Sequence, residues 1–176
     1  MPADKQSAVS LPLPLLTARL RLREMVASDA AGYHALASDP EVMQFLGGAT
    51  TNRDCEYYRT SLQKERTGLD TLIAVTPREN DAFIGRCGFT WNFFAEEWEV
   101  NVVLMRAAWG NGYATEVLSA LVDLAFNTLD LKTLAGVVHP ENAASITILG
   151  KCGFVLDPTI TIKQWDTITR VYSKTV

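Results

Sequence analysis

Apolar and polar residues alternate in "ARLRLREM", where Leu20 and Leu22 are interleaved with Arg19, Arg21 and Arg23. That period of two belongs to a half-buried strand. The pattern then changes. "SDAAGYHALASD" offers Ser28 or Asp29 as an N-cap ahead of Tyr33, Leu36 and Ala37, and "DPEVMQFLGG" restarts with Asp39 before Pro40 and stops on a glycine pair. A capping residue, a proline at the first helical position and a closing glycine predict two short helices joined at an angle. "TNRDCEYYRTSLQKERTG" predicts a third, charged helix that stops at Gly68. "DTLIAVTP" and "AFIGRCGFTW" are strand-like runs separated by the turn-rich "RENDA", the pattern of a hairpin.

"EVNVVLM" predicts a further strand and "GYATEVLSALVDLAFNTL" a long helix. Ala114, Leu118, Leu121, Ala125 and Leu129 fall on one face of that helix, with Glu116, Ser119, Asp123 and Asn127 on another. Such a stripe packs against a sheet. "KTLAGVVH" then reads as a strand, "ENAASITILGKCG" as a helix ending at Gly153, and "FVLD" and "TITRVYSK" as closing strands. Strand, helices, three strands, helix, strand, helix and two strands make a single mixed α/β sheet.

Composition narrows the function classes. At 176 residues with 48% hydrophobic content, the chain is expected to form one domain over residues 1–176 with a full core. Residues 1–16 are expected to be a partly ordered lead-in, and they lack the sustained apolar run of a signal peptide or membrane span. A net charge of −4 supplies no basic patch for a phosphate backbone, so nucleic acid is not an expected partner. Cys55, Cys87 and Cys152 are odd in number and have no C-x-x-C spacing, against a disulfide framework and against a metal site. A cytoplasmic location is expected.

Two glycines in "WGNGYATE" sit where strand hands over to helix. The first amides of that helix have no partner within it and carry the positive end of its dipole, so they suit a phosphate. Gly110 and Gly112 would remove the Cβ atoms that hold a pyrophosphate away, although glycines also make tight turns on their own account.

The same stretch resembles the Q/R-x-x-G-x-G/A loop of the GCN5-related N-acetyltransferases (GNAT), with Gly112 and Ala114 in the last two fixed places and Trp109 where Gln or Arg is usual. "TARLRLREM", "DPEVMQFLGG", "IGRCGF" and "HPENAASITILGKCGF" resemble the RimJ/RimL-like branch of that family. The resemblance implies the acyl-CoA N-acyltransferase fold, with a central, twisted, mostly antiparallel sheet of about six to seven strands flanked by helices. It implies acetyl-CoA as co-substrate and no metal. The pyrophosphate is then expected on the amides of Gly110, Asn111, Gly112, Tyr113, Ala114 and Thr115, with Trp109 also among the cofactor-binding residues, and the pantetheine along the backbone of Val102, Val103 and Leu104. A bulge in the family commonly splays that strand from its neighbour, here "LAGVVH", and the thioester sits in the gap.

By the same resemblance Asn142 contacts the cofactor, although an asparagine there also serves as a helix N-cap, and Ser145 donates to the departing thiolate, unless it is bonded to a preceding carbonyl. Acetyl transfer to an amine wants a base, an oxyanion donor and an acid. Glu99 matches the glutamate that often opens the pantetheine strand and is the first candidate for base, ahead of His139; His34 reads as a helix-surface residue and Cys152 as core. A backbone amide near Leu104 is the oxyanion candidate. The expected acceptor is a primary amine, a protein or peptide N-terminus ahead of a polyamine, aminoglycoside or amino-acid-like compound. A non-catalytic acyl-CoA-binding sensor domain and a homodimer both stay open. "DPEVMQFLGG" and the hairpin around Trp165 are expected to flank the acceptor.

Overall fold

A computed structural model describes residues 11–63, 72–164 and 167–176 of the chain. Of the lead-in, residues 1–10 lie outside the described residues; Leu11 is buried, and Leu15–Leu16 forms a short strand, β1. β2 (Leu20–Glu24) follows, and its alternation resolves as expected, with Leu20 and Leu22 at 0% exposure and the arginines outward. A 3-10 turn at Ala27–Asp29 leads into α1 (Ala30–Ser38), α2 (Pro40–Met43) and α3 (Cys55–Leu62). Asp39 caps α2 by accepting from the amides of Glu41 and Val42, and Asp54 caps α3 by accepting from Tyr57. The expected continuation of α3 to Gly68 falls on residues outside the described ones.

β3 (Ile73–Pro77), β4 (Gly85–Asn92) and β5 (Glu97–Leu104) form an antiparallel meander. Next come α4 (Tyr113–Asn127), β6 (Thr133–Val138), α5 (Ala143–Lys151), β7 (Val155–Gln164) and β8 (Thr167–Thr175). The strands form one sheet in the order β1-β2-β3-β4-β5-β6-β8-β7. Among the described residues it has eight strands, one above the expected range, because β1 pairs with β2. "FVLD" is also longer than its apolar run suggests: β7 continues through Pro158, where the register with β8 shifts between Asp157 and Thr161. A proline has no amide to give a ladder and is accommodated at such an irregularity. Trp165 lies outside the described residues.

The main core lies between α4, α5 and one face of the sheet. Val117, Leu121 and Ala125 of α4 are at 0% exposure, and they pack with Leu22, Val75, Cys87 and Leu134 in one cluster. A buried leucine of this kind is worth about 2–5 kcal/mol against alanine, so α4 is held firmly. On the opposite face Val103 packs with Leu36 and Val42, which seats α1 and α2 there. Even positions of β5 therefore face α4 and odd positions face α1 and α2.

One junction in the sheet is unlike the others. β5 and β6 are its parallel neighbours, and their register contains a single pair, Glu99 with Ala135. β5 stays with β4 as far as Gly85↔Leu104, and β6 stays with β8 as far as Val138↔Arg170. Each strand follows its antiparallel partner, so the sheet opens as a V from Glu99 onward. The β4–β5 ladder runs without a register shift. The opening is a divergence of β5 from β6, not an interruption between β4 and β5.

Candidate active site

The V is the mouth of a cavity of about 290 Å³ lined by elements from both faces of the sheet. Ala114 and Leu118 of α4, Gly136 and Val138 of β6, and Asn142, Ser145 and Leu149 of α5 line it on one side. Arg86 and Thr90 of β4, Glu99 and Asn101 of β5, and Leu46 after α2 line it on the other. Val102 and Val103 border it along β5, whose edge has no strand beside it in this stretch among the described residues. Leu104 does not line the cavity; it is buried, and its carbonyl accepts the indole N–H of Trp109 at 2.8 Å.

That hydrogen bond explains Trp109, which is half exposed and ties the start of the loop to the end of β5. Asn111 pins the loop from within, its amide donating to the carbonyls of Ala108 and Trp109. Gly110 and Gly112 both have φ +76, a left-handed conformation that costs an L-residue about 1–2 kcal/mol. A Cβ at Gly110 would meet nothing within 4 Å, and one at Gly112 only Arg19 Nη2 at 3.6 Å. The glycines thus make the turn and leave open space before it. α4 begins there: its first bond runs from the Glu116 amide to the Gly112 carbonyl, so the amides of Tyr113, Ala114 and Thr115 precede the ladder. An unfilled space in front of three amides at a fixed helix N-terminus fits a pyrophosphate.

Sequence reasoning missed what holds this turn. Arg19 donates through Nε to Glu116 and through Nη1 to the Asn111 carbonyl, and its guanidinium lies over the Tyr113 ring, 4.6 Å from the centroid. Burial raises the Glu116 carboxyl, but the Thr17 hydroxyl and the amide and guanidinium of Arg19 outweigh it and hold the group below its ordinary value. A carboxylate in the first helical turn would compete for the same amides, and pairing it with Thr17 and Arg19, just ahead of β2, turns it aside. Thr115, also expected in the loop, is half-buried, with its carbonyl 3.9 Å from Cys152 Sγ. Cys152 itself is half-buried beside Ser119 Oγ at 3.6 Å, packed against the core instead of within it.

Asn142 is the expected cap, and it also borders the cavity. Its Oδ1 accepts from the Ser145 amide at 3.0 Å. Capping uses the carbonyl oxygen and leaves the side-chain N–H groups as donors. Ser145 lines the cavity, whereas Thr147, two residues on, bonds back to the Ala143 carbonyl at 2.8 Å.

Glu99 stands at the apex of the V. Burial pushes its carboxyl above the ordinary range, and the Asn92 amide, donating to Oε2 at 2.8 Å, pulls it back only in part. A carboxylate raised in this way is suited to take a proton near neutral pH. His139 is outside the cavity lining: its Nδ1 accepts from the Glu141 amide at 3.2 Å and its ring packs on Phe45. His34 sits half-buried near the Tyr58 ring.

The segment "DPEVMQFLGG" reaches the site through Leu46, and Arg106 fastens it to the end of β5 by pairing with Asp39 at 2.8 Å and Glu41 at 2.6 Å. Arg86, Thr90 and Asn101 were not singled out from the sequence. The signal was there, since Arg86, Thr90 and Asn92 alternate with buried Cys87 and Phe89 along β4. Among the described residues no group of three or more His, Cys, Asp and Glu side chains is placed to hold a metal, and no helix is long and apolar enough to cross a membrane.

Comparison with known proteins bears on this geometry. Residues 19–155 match the model of the acetyltransferase (GNAT) domain. An uncharacterized N-acetyltransferase, p20, of Bacillus licheniformis is 33% identical over 147 residues, covering 80% of this chain and 81% of p20. Among solved structures, an acetyltransferase of the GNAT family from Bacillus anthracis superposes with a TM-score of 0.77 at 21% identity, over 92% of this chain and 97% of that one. A spermidine N-acetyltransferase from Vibrio cholerae, solved with CoA and spermine, gives 0.70 at 17% identity, over 89% and 95%. The open parallel junction, the glycine turn before α4 and a family match from β2 to β7 agree, and the chain belongs to the GCN5-related N-acetyltransferases, enzymes of acetyl transfer.

Proposed function

We propose that the protein moves the acetyl group of acetyl-CoA to a primary amine by direct attack in a ternary complex. The observation that carries this reading is the single-pair junction of β5 and β6, which puts Glu99 and Ser145 on the two sides of one cavity. Acetyl-CoA supplies an activated thioester. The amides of Tyr113 to Thr115 hold its pyrophosphate, the free edge of Val102 and Val103 aligns its pantetheine, and the Asn142 side-chain amide donates to it. Glu99 takes the proton of the attacking amine, directly or through one water. The new C–N bond forms as the C–S bond breaks, and Ser145 donates to the thiolate sulfur as it gathers charge. A β5 backbone amide beside the thioester stabilises the carbonyl oxygen, an effect of about 2.7–4 kcal/mol where single donors of this kind are removed.

A peptide or protein N-terminus is placed ahead of a free metabolite as acceptor, on the resemblance of "DPEVMQFLGG" to the RimJ/RimL-like branch and on the position of Leu46 at the mouth. The test is a thiol-release screen of N-terminal peptides beside polyamines, aminoglycosides and amino acids, with products identified by mass spectrometry. Turnover of metabolites with none on peptides reverses that order. Tight acetyl-CoA binding with silence across the panel supports a sensor instead.

A further inference from the structure

The acceptor side of the cavity holds a cation that the transfer chemistry does not use. Arg86 lines the cavity from β4, half-buried, and its Nη1 donates to Asn101 Oδ1 at 3.0 Å. The ion pairs among the described residues engage Arg19, Arg21, Arg23, Arg59, Arg106 and Lys132, and none of them engages Arg86. Its neighbour in the wall, Glu99, is held from the other direction by Asn92. A partly desolvated guanidinium without a counter-charge is costly to keep, and Arg presents five donors in a fork that matches a carboxylate.

Its placement relative to Glu99 is defined by the register. Asn101 and Glu99 lie two residues apart on the same face of β5, roughly 7 Å along the strand. The guanidinium is bonded to Asn101, and Asn92, which pairs with Glu97, draws the Glu99 carboxyl the other way along the strand, so the two charged groups are more than one such step apart. With hydrogen bonds of roughly 2.8–3.0 Å at each end, an interval longer than one step leaves room for an amine and a carboxylate separated by a few bonds. Asn101 fixes the fork and is itself braced by donating to Thr90 Oγ1 at 3.4 Å.

We propose that the acceptor carries a carboxylate close to its reacting amine, and that Arg86 binds the carboxylate while Glu99 faces the amine. This rests on the acetyl-transfer reading and narrows its acceptor. Two sources share the chemistry: a free amino acid, or a peptide whose first residue is acidic. A polyamine is disfavoured, because it would set a second ammonium against Arg86.

The experiment uses the full chain with acetyl-CoA and measures kcat/KM by thiol release. The panel is the common L-amino acids, their carboxamides, spermidine, and C-amidated tetrapeptides beginning with Asp, Glu or Ala. Charge-assisted pairing predicts that acids exceed their carboxamides by roughly 10- to 100-fold. Arg86→Gln erases that ratio, Arg86→Lys keeps part of it, and acetyl-CoA affinity is unchanged in both. Activity on amino acids alone assigns the free metabolite, and activity on Asp- or Glu-first peptides alone assigns the peptide. Carboxamides turned over as well as acids, spermidine preferred, or an Arg86→Gln loss equal for all acceptors overturns the proposal. Should no amine be acetylated, the transfer reading fails on this panel, and calorimetric titration of the amino acids into the protein–CoA complex decides the subsite. Binding that Arg86→Gln weakens upholds it; no binding, or binding the substitution leaves alone, overturns it.

Discussion

Replacing Gly112 by alanine separates the two things a glycine can do at the head of α4. With φ +76 the position is left-handed, and an L-residue there costs about 1–2 kcal/mol of stability. The added Cβ meets only Arg19 Nη2 at 3.6 Å, an ordinary contact, so the folded chain has no other reason to object. A pyrophosphate on the amides of Tyr113, Ala114 and Thr115 would meet that methyl group. At about 0.3–1 kcal/mol for each favourable contact, displacing three of them costs about 1–3 kcal/mol of binding. The acetyl-CoA Kd should then rise roughly 5- to 150-fold. Gly48→Ala is the control, since its φ is +88 and its Cβ meets nothing within 4 Å, but it lies outside the loop before α4. Urea denaturation should show similar losses for the two variants, whereas isothermal titration with acetyl-CoA should show weakening for Gly112→Ala alone. A folded Gly112→Ala with wild-type Kd would refute the phosphate cradle and leave a tight turn. Equal weakening in both variants would assign the effect to strain.

Ser145→Ala should lower kcat roughly tenfold or more while leaving acetyl-CoA affinity nearly unchanged, because a donor to sulfur matters once charge develops there; pre-steady-state rates beside titration calorimetry check the split. Glu99 must be ionised to act, and burial raises its carboxyl, so kcat/KM should climb with pH through a midpoint above the ordinary carboxylate range, a limb that Glu99→Gln abolishes. The same raised group favours the fold at low pH, and that contribution is lost as pH rises through its folded value. Glu99→Gln should therefore be at least as heat-stable as wild type at pH 8, measured by thermal melts. Asn142→Ala should cost about 1 kcal/mol of stability through the lost cap, whereas Asn142→Asp keeps the cap and loses the donor, so it should hold stability in urea and weaken acetyl-CoA binding.

Much of the fold was legible because each element carried its own period or punctuation. The Leu–Arg alternation of β2, the apolar stripe of α4 and the caps at Asp39 and Asn142 are local patterns, and local sterics and solvent decide them. The glycine turn was legible for the same reason: positive φ at Gly110 and Gly112 is a property of the residue. β1 was missed, since two residues have no period to read, and so was the full length of β7, where Pro158 reads as a stop until a register shift absorbs it.

What the sequence by itself determined was therefore the identity and order of the elements, and the turn chemistry before α4, because these depend on contacts a few residues apart. Which residues meet across the chain was decided only in the tertiary structure. Arg19 locks Glu116 from 97 positions away, and Arg86 reaches Asn101 because antiparallel pairing sets Gly88 against Asn101. The cavity is likewise invisible in any single strand: it exists because β5 follows β4, β6 follows β8, and the two part after Glu99. Backbone pairing at long range has no signature in local hydrophobicity, so the place where it ceases, which is where the chemistry is proposed to occur, could be read only from the folded sheet.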